Sequence, residues 1–192
     1  MTSGALKSID SALERLGRKR TLALLRKGVP TTVSQGRFDG LHLPIPTELL
    51  EIYEWHDGID ATTGAPLDDL HLFPGFYLLS ASDASTNYLA FREDRRWNAA
   101  WLPVFANGGG DFYAVVCRDK HGDWGQVVHF RIDEVNHPSE FSSLNAFLGT
   151  IAAAYRTGVF FVDEHGYLEM ADGAWIELAS RMNQDMEYWA QA

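Results

Sequence analysis

The sequence predicts an α+β fold, a single domain with a central antiparallel β-meander flanked by N- and C-terminal helices. Three observations predict it. Apolar residues recur at helical spacing near both ends of the chain. Between residues 100 and 132 the pattern changes to short strand-like runs. No internal repeat, low-complexity tract or linker divides the 192 residues. Hydrophobic residues make up 46% and charged residues 22%, the composition of a packed domain. A chain of this length buries roughly 70% of its unfolded surface, so its fold needs no disulfide or metal staple.

The elements follow in order. Residues 5–27 read as helix with a break near Gly17, because Leu6, Ile9, Leu13 and Leu16 form one apolar stripe. Gly28 and Pro30 stop it. This basic helical segment, residues 1–30, is set apart from a body spanning residues 31–192, and its Arg18-Lys19-Arg20 cluster reads as a solvated face. Thr31 to Gly40 reads as a polar loop. A helix then starts at Thr47 or Glu48 and ends at Gly58, with Leu49, Ile52 and Tyr53 facing the core and Glu48, Glu51 and Glu54 outside. Asp60 to Asp69 has loop composition. Leu70 to Leu79 looks like a strand interrupted at Pro74-Gly75, and Ser82 or Asp83 suits the cap of a helix running to about Asp94.

Three strand-like runs come next: Ala100–Phe105, Asp111–Cys117 and Gln126–Ile132. The turn signals Asn107-Gly-Gly-Gly110 and Asp119–Gly125 separate them, which makes a meander. Ser142 or Ser143 opens a helix carrying Leu144, Phe147, Leu148, Ile151 and Tyr155, closed by Gly158. Val159 to Leu168 suggests a hairpin. Asp172 suits the cap of a last amphipathic helix on which Trp175, Leu178, Ala179, Met182, Met186 and Trp189 share a stripe.

Charge is distributed unevenly. The formal net charge is −10, yet residues 1–30 hold seven basic and two acidic residues, while residues 132–192 hold two basic and ten acidic. From Asp39 to Phe91 there are nine acidic residues and no Lys or Arg. Such a body repels phosphate backbones, so no nucleic-acid partner is expected; it attracts a basic protein, although acid also serves solubility. No stretch approaches the roughly 18 apolar residues of a membrane span, so no membrane association is expected. Cys117 is the only cysteine, and the first residues do not read as a signal peptide, so the expected compartment is the cytoplasm.

The residues offer little for catalysis. The seven histidines, His42, His56, His71, His121, His129, His137 and His165, include no pair at metal-ligand spacing, and Cys117 has no Cys or His neighbour at such spacing. There is no Gly-x-Ser-x-Gly elbow. Asn107-Gly-Gly-Gly-Asp111 lacks the Lys-Ser/Thr of a phosphate loop and leads into a strand. No catalytic residues, metal or cofactor are therefore expected, and the protein reads as a binding protein rather than an enzyme. A site around His129, His137 and nearby acids is the remaining catalytic possibility, and a pocket with convergent perturbed residues would raise it.

The order of landmarks resembles the SUKH superfamily, the Smi/Knr-type proteins. Leu43-Pro, an acidic helix ending in Asp57-Gly58, Trp101-Leu-Pro-Val-Phe105, Gly108-Gly-Gly-Asp111-Phe-Tyr113 and the tail motifs Asp163-Glu-His-Gly-Tyr167 and Glu187-Tyr-Trp189 carry the resemblance over roughly residues 40–190. It departs at Asp57, where Asn is commoner, and in the long basic N-terminal helix. The resemblance implies a compact α+β domain and, as in most bacterial members, immunity: stoichiometric binding and occlusion of a cognate toxin, such as a nuclease or deaminase. The fungal-type alternative is a non-enzymatic scaffold in cell-wall regulation. The partner contacts are expected at Glu51, Glu54, Asp57, Asp60, Asp68 and Asp69, with Asp111 at the glycine turn as a second candidate.

Overall fold

The computed structural model describes residues 2–118 and 122–191; Asp119, Lys120 and His121, in the last expected turn, lie outside the described residues. The chain runs α1 (Thr2–Arg15), α2 (Lys19–Leu24), β1 (Leu25–Lys27), α3 (Thr31–Phe38), α4 (Thr47–Trp55), β2 (His56–Ile59), α5 (Leu67–Leu70), β3 (Tyr77–Leu78) and α6 (Ala81–Phe91). It continues with β4 (Trp101–Ala106), β5 (Phe112–Val116), β6 (Val127–Phe130), β7 (Ser139–Phe141), α7 (Leu144–Thr157), β8 (Phe160–Val162), β9 (Leu168–Met170), α8 (Asp172–Met182) and α9 (Glu187–Ala190).

The expected meander is β4, β5 and β6. It extends by one short strand at each edge into a five-stranded antiparallel sheet in the order β3-β4-β5-β6-β7. Every residue of β5 and β6 is buried because both faces are covered, which is why these runs read as continuously apolar. On one face Phe105 and Tyr113 meet Phe147 of α7 at ring distances of 5.5 and 4.9 Å. On the other, Phe112 and Phe130 pack against Phe91 and Trp97. α1 lies against α7, its Leu6, Ile9 and Leu13 buried in the same core as the sheet. α7 is capped as its sequence suggests, with Ser143 Oγ accepting from the Ala146 N–H at 3.1 Å and Gly158 in the left-handed region.

The main departures occur where tertiary contacts override local pattern. Leu25–Lys27 leaves the expected helix as β1, because it pairs antiparallel with β2 in the register Leu25↔Ile59. β2 in turn consumes His56–Gly58, expected as a helix end. Gly58 sits at φ 79° beside the start of α6, where a Cβ would lie 2.3 Å from the Ser80 nitrogen. The expected loop Thr31–Gly40 holds α3, because Phe38 is fully buried against Tyr53 at 5.7 Å and fixes the segment. Local propensity is a weak prior against such an anchor.

Leu70 to Leu79 contributes only Tyr77–Leu78 to the sheet; Phe73 and Phe76 bridge across the Pro74-Gly75 turn. The cap of α6 is Ser80, whose Oγ accepts from the Asp83 N–H at 3.0 Å and donates to the Asp83 carboxylate at 2.6 Å. Ala171, not Asp172, is the cap position of α8. The long last helix is broken at Asn183, whose buried side chain donates to Thr150 Oγ1 and to the Ala179 carbonyl. A buried amide that must meet these partners ends the helical run. α9 then folds back along the sheet edge, where Trp189 Nε1 donates to the Glu140 carbonyl of β7 at 2.6 Å. Among the described residues no helix is long and apolar enough to cross a membrane.

Candidate functional site

α4 buries Leu49, Ile52 and Tyr53 and therefore turns Glu48, Glu51 and Glu54 outward. Glu51 and Glu54, with Trp55, form one wall of a cleft of about 390 Å³ whose other wall is Ser3, Leu6 and Lys7 of α1. Among the described residues neither carboxylate has a hydrogen-bond or ion-pair partner. Trp55 Nε1 donates to Asp10 at 2.7 Å and ties the two helices together beside the cleft.

The other five acids named from the sequence have partners inside the protein. Asp57 is buried, accepts from the Ala81 N–H at 3.0 Å and pairs with Arg37. Asp60 accepts from the Thr62 N–H and hydroxyl at 3.0 and 2.6 Å, bonds that hold its carboxyl below the usual range, and lies 3.5 Å from Arg26. Asp68 pairs with Arg18, which is 6% exposed, and Asp69 pairs with the more exposed Arg20 at 3.0 Å. Asp111 fastens the glycine turn, accepting from the Ile132 N–H at 2.9 Å and from Asn107 Nδ2 at 2.8 Å.

A charge relation hidden in the sequence emerges from these pairs. Five of the nine acids in the stretch with no cation of its own, Asp57, Asp60, Asp68, Asp69 and Asp83, pair with four arginines from the preceding 38 residues: Arg18, Arg20, Arg26 and Arg37. Arg18 is thus a buried partner rather than part of a solvated face. No spacing rule finds such pairs, since they join residues 20 or more positions apart. Among the described residues the acids of α4 and much of the C-terminal third have no ion-pair partner, although Lys7 stands in the cleft wall facing Glu51 and Glu54.

A second polar cluster lies on the sheet face that meets α7, where His129 is the cross-strand partner of Tyr113. His129 stacks on Tyr113 at 4.2 Å, and its Nδ1 lies 3.2 Å from Glu140 Oε1. Glu140 is only 2% exposed and also receives Arg131 Nη2 at 2.8 Å. Burial and the Glu140 charge push the Tyr113 hydroxyl well above its usual pKa. His137 adjoins this group through its Nδ1, which accepts from the Arg131 N–H at 3.4 Å; it packs on Phe130 at 4.5 Å, and burial lowers its pKa. Glu140 was not singled out in the sequence, because one acid in the run Pro-Ser-Glu-Phe gives no sign that it is buried. Burial raises the Cys117 thiol as well. Among the described residues no three His, Cys, Asp or Glu side chains gather as a metal-ligating group.

No curated protein matches the chain significantly. The sequence model of the SMI1 / KNR4 family (SUKH-1) matches residues 40–150, the stretch from the end of α3 through the five-stranded sheet and half of α7. That is more than half of the 192 residues, and with the α+β architecture and the landmarks Leu43-Pro, Trp101-Leu-Pro and Gly108-Gly-Gly-Asp111 it gives one conclusion: the chain belongs to the SMI1/KNR4 (SUKH-1) family of the SUKH superfamily.

Proposed function

We propose that this chain is an immunity protein, which binds a cognate basic toxin in the cytoplasm and neutralises it by stoichiometric occlusion, without chemistry of its own. The observation that carries this reading is the charge left over after internal pairing. Arg37, Arg26, Arg18 and Arg20 pair with Asp57, Asp60, Asp68 and Asp69, while among the described residues Glu51 and Glu54 of α4 have no ion-pair partner. Family membership supports the same reading, because immunity is the role the resemblance implies for bacterial members. Unpaired carboxylates on a rigid helix steer a basic partner and speed its encounter.

The immunity reading expects a large toxin gene beside the one for this chain, and the test is co-expression with its product. The expected result is rescue of growth and a one-to-one complex. Reversing Glu51→Lys together with Glu54→Lys is expected to weaken that complex about tenfold, mainly through a slower on-rate that loses its salt dependence. Absence of rescue overturns the immunity role and favours a scaffold. Rescue that is indifferent to the double reversal moves the contact surface away from α4.

A further inference from the structure

α1 and α7 run side by side in the same direction. At their starts Thr2 Oγ1 donates to Asn145 Oδ1, and at their ends Arg15 Nη2 donates to the Tyr155 carbonyl at 3.1 Å. The buried Ala12 and Ala152 lie at the seam, and a hollow of about 280 Å³ opens above them. Lys7, Ser11 and Arg15, spaced four apart on one face of α1, line it together with Ser8. Arg156, one turn after Ala152, closes it from α7. Among the described residues no carboxylate is in the lining. Every lining residue falls outside residues 40–150, so the hollow is no part of the stretch that matches the family.

Three cations thus meet on a chain whose formal net charge is −10. Among the described residues none of the three has an ion-pair partner. Lys7 also borders the α4 cleft, yet makes no ion pair with Glu51 or Glu54. Asp10 of α1 is engaged elsewhere, accepting from Trp55 Nε1 at 2.7 Å. Part of the positive charge offsets the helices themselves. Arg15 and Arg156 stand in the last turns of α1 and α7, whose carbonyl ends each carry about half a negative charge. Three cations against these two ends leave a surplus of about two positive charges. Donors are available as well. Arg15 spends one N–H on Tyr155 and keeps the rest of its fork, and Ser11 Oγ has no partner among the described residues, whereas Ser8 Oγ donates to the Gly4 carbonyl at 2.9 Å.

We propose that this hollow binds the phosphate group of a small soluble ligand, a role separate from the toxin binding given above. A phosphate monoester carries about 1.5 to 2 negative charges at neutral pH, which matches the surplus. Its oxygens also suit guanidinium forks from two sides, with Lys7 as a point charge on the third. A carboxylate brings one charge and two oxygens, and leaves a cation unmatched. Around the hollow the acid excess of the chain opposes a nucleic-acid backbone and an anionic bilayer surface alike. The volume lies just below the roughly 300–1,000 Å³ of pockets that enclose whole small molecules, so it holds the phosphate and little of its carrier.

The experiment titrates inorganic phosphate into the full chain at neutral pH and constant ionic strength, with acetate alongside, and follows the side-chain N–H signals of Arg15 and Arg156. Phosphate is expected to saturate with a dissociation constant of about 1 mM, and acetate to bind about tenfold more weakly. Lys7→Gln and Arg156→Gln alter exposed side chains and should each weaken phosphate about threefold with an unchanged thermal melt. Lys27→Gln removes an exposed cation outside the lining and should leave phosphate binding as it is. Absence of saturation, acetate binding as tight as that of phosphate, or an equal loss in Lys27→Gln and Lys7→Gln overturns the proposal. Phosphatidylcholine vesicles containing phosphatidic acid are expected to leave the chain unbound. Recruitment to them that depends on Lys7 overturns a soluble ligand in favour of a lipid headgroup.

Discussion

Asp68 joins Arg18 to a hairpin formed 100 residues later. Its Oδ2 pairs with Arg18, and its Oδ1 accepts from the Leu168 N–H of β9 at 3.0 Å. Arg18 also donates to the Gly166 carbonyl at 3.3 Å, in the turn between β8 and β9. One carboxylate thus ties the N-terminal segment to the C-terminal third.

Removing one partner leaves a buried charge alone, which costs about 3–5 kcal/mol. Arg18→Met is therefore expected to destabilise the fold by about that amount in urea unfolding. Combining it with Asp68→Asn should cost less than the sum of the two single changes, since the double variant buries no lone charge. Additive costs would mean that the pair does not act as a unit.

Gly58 is a close backbone crossing beside the candidate site, in a left-handed conformation. Gly58→Ala places a methyl group 2.3 Å from the Ser80 nitrogen in a left-handed backbone, so β2 and α6 must separate. The expected loss is about 3 kcal/mol or more in thermal or chemical unfolding. Gly64→Ala is the control. It shares a positive φ of 70° but has nothing within 4 Å of its Cβ, and should cost only about 1 kcal/mol.

Trp189 shields the free edge of the sheet. Trp189→Phe keeps the aromatic packing on Phe141 but leaves the Glu140 carbonyl without its donor. The expected cost is about 1–3 kcal/mol, with faster amide exchange in β7. An unchanged exchange pattern would show that α9 does not protect the edge.

Stability should fall on mild acidification. His71 is largely buried with an unpartnered Nε2, and burial lowers its pKa despite Asp68 nearby, with Arg18 adding to the lowering. The unfolded chain then binds more protons than the folded one below about pH 6.5, so folding weakens as pH falls through that region. His137, also lowered by burial, acts in the same direction. Melting temperatures recorded from neutral pH downwards should decline, and His71→Asn should flatten part of that decline.

The elements whose evidence is local were legible in the sequence. The meander, α7 with its Ser143 cap and Gly158 stop, and the core face of α4 follow from residue spacing and turn chemistry, which act within a few positions. The lack of a cation between Asp39 and Phe91 was equally plain. Its meaning was not, because charge neutralisation depends on distance in space. Only the tertiary structure paired Arg18, Arg20, Arg26 and Arg37 with Asp68, Asp69, Asp60 and Asp57, leaving Glu51 and Glu54 as the unpaired members of the expected acidic surface. The same holds for β1, β2 and α3, which exist because Leu25 meets Ile59 and Phe38 meets Tyr53, and for the buried Glu140. The sequence by itself determined the α+β class, the order of the main elements and the excess of acid. The tertiary structure decided which acids are free, because burial and pairing join residues whose separation along the chain carries no periodic signal.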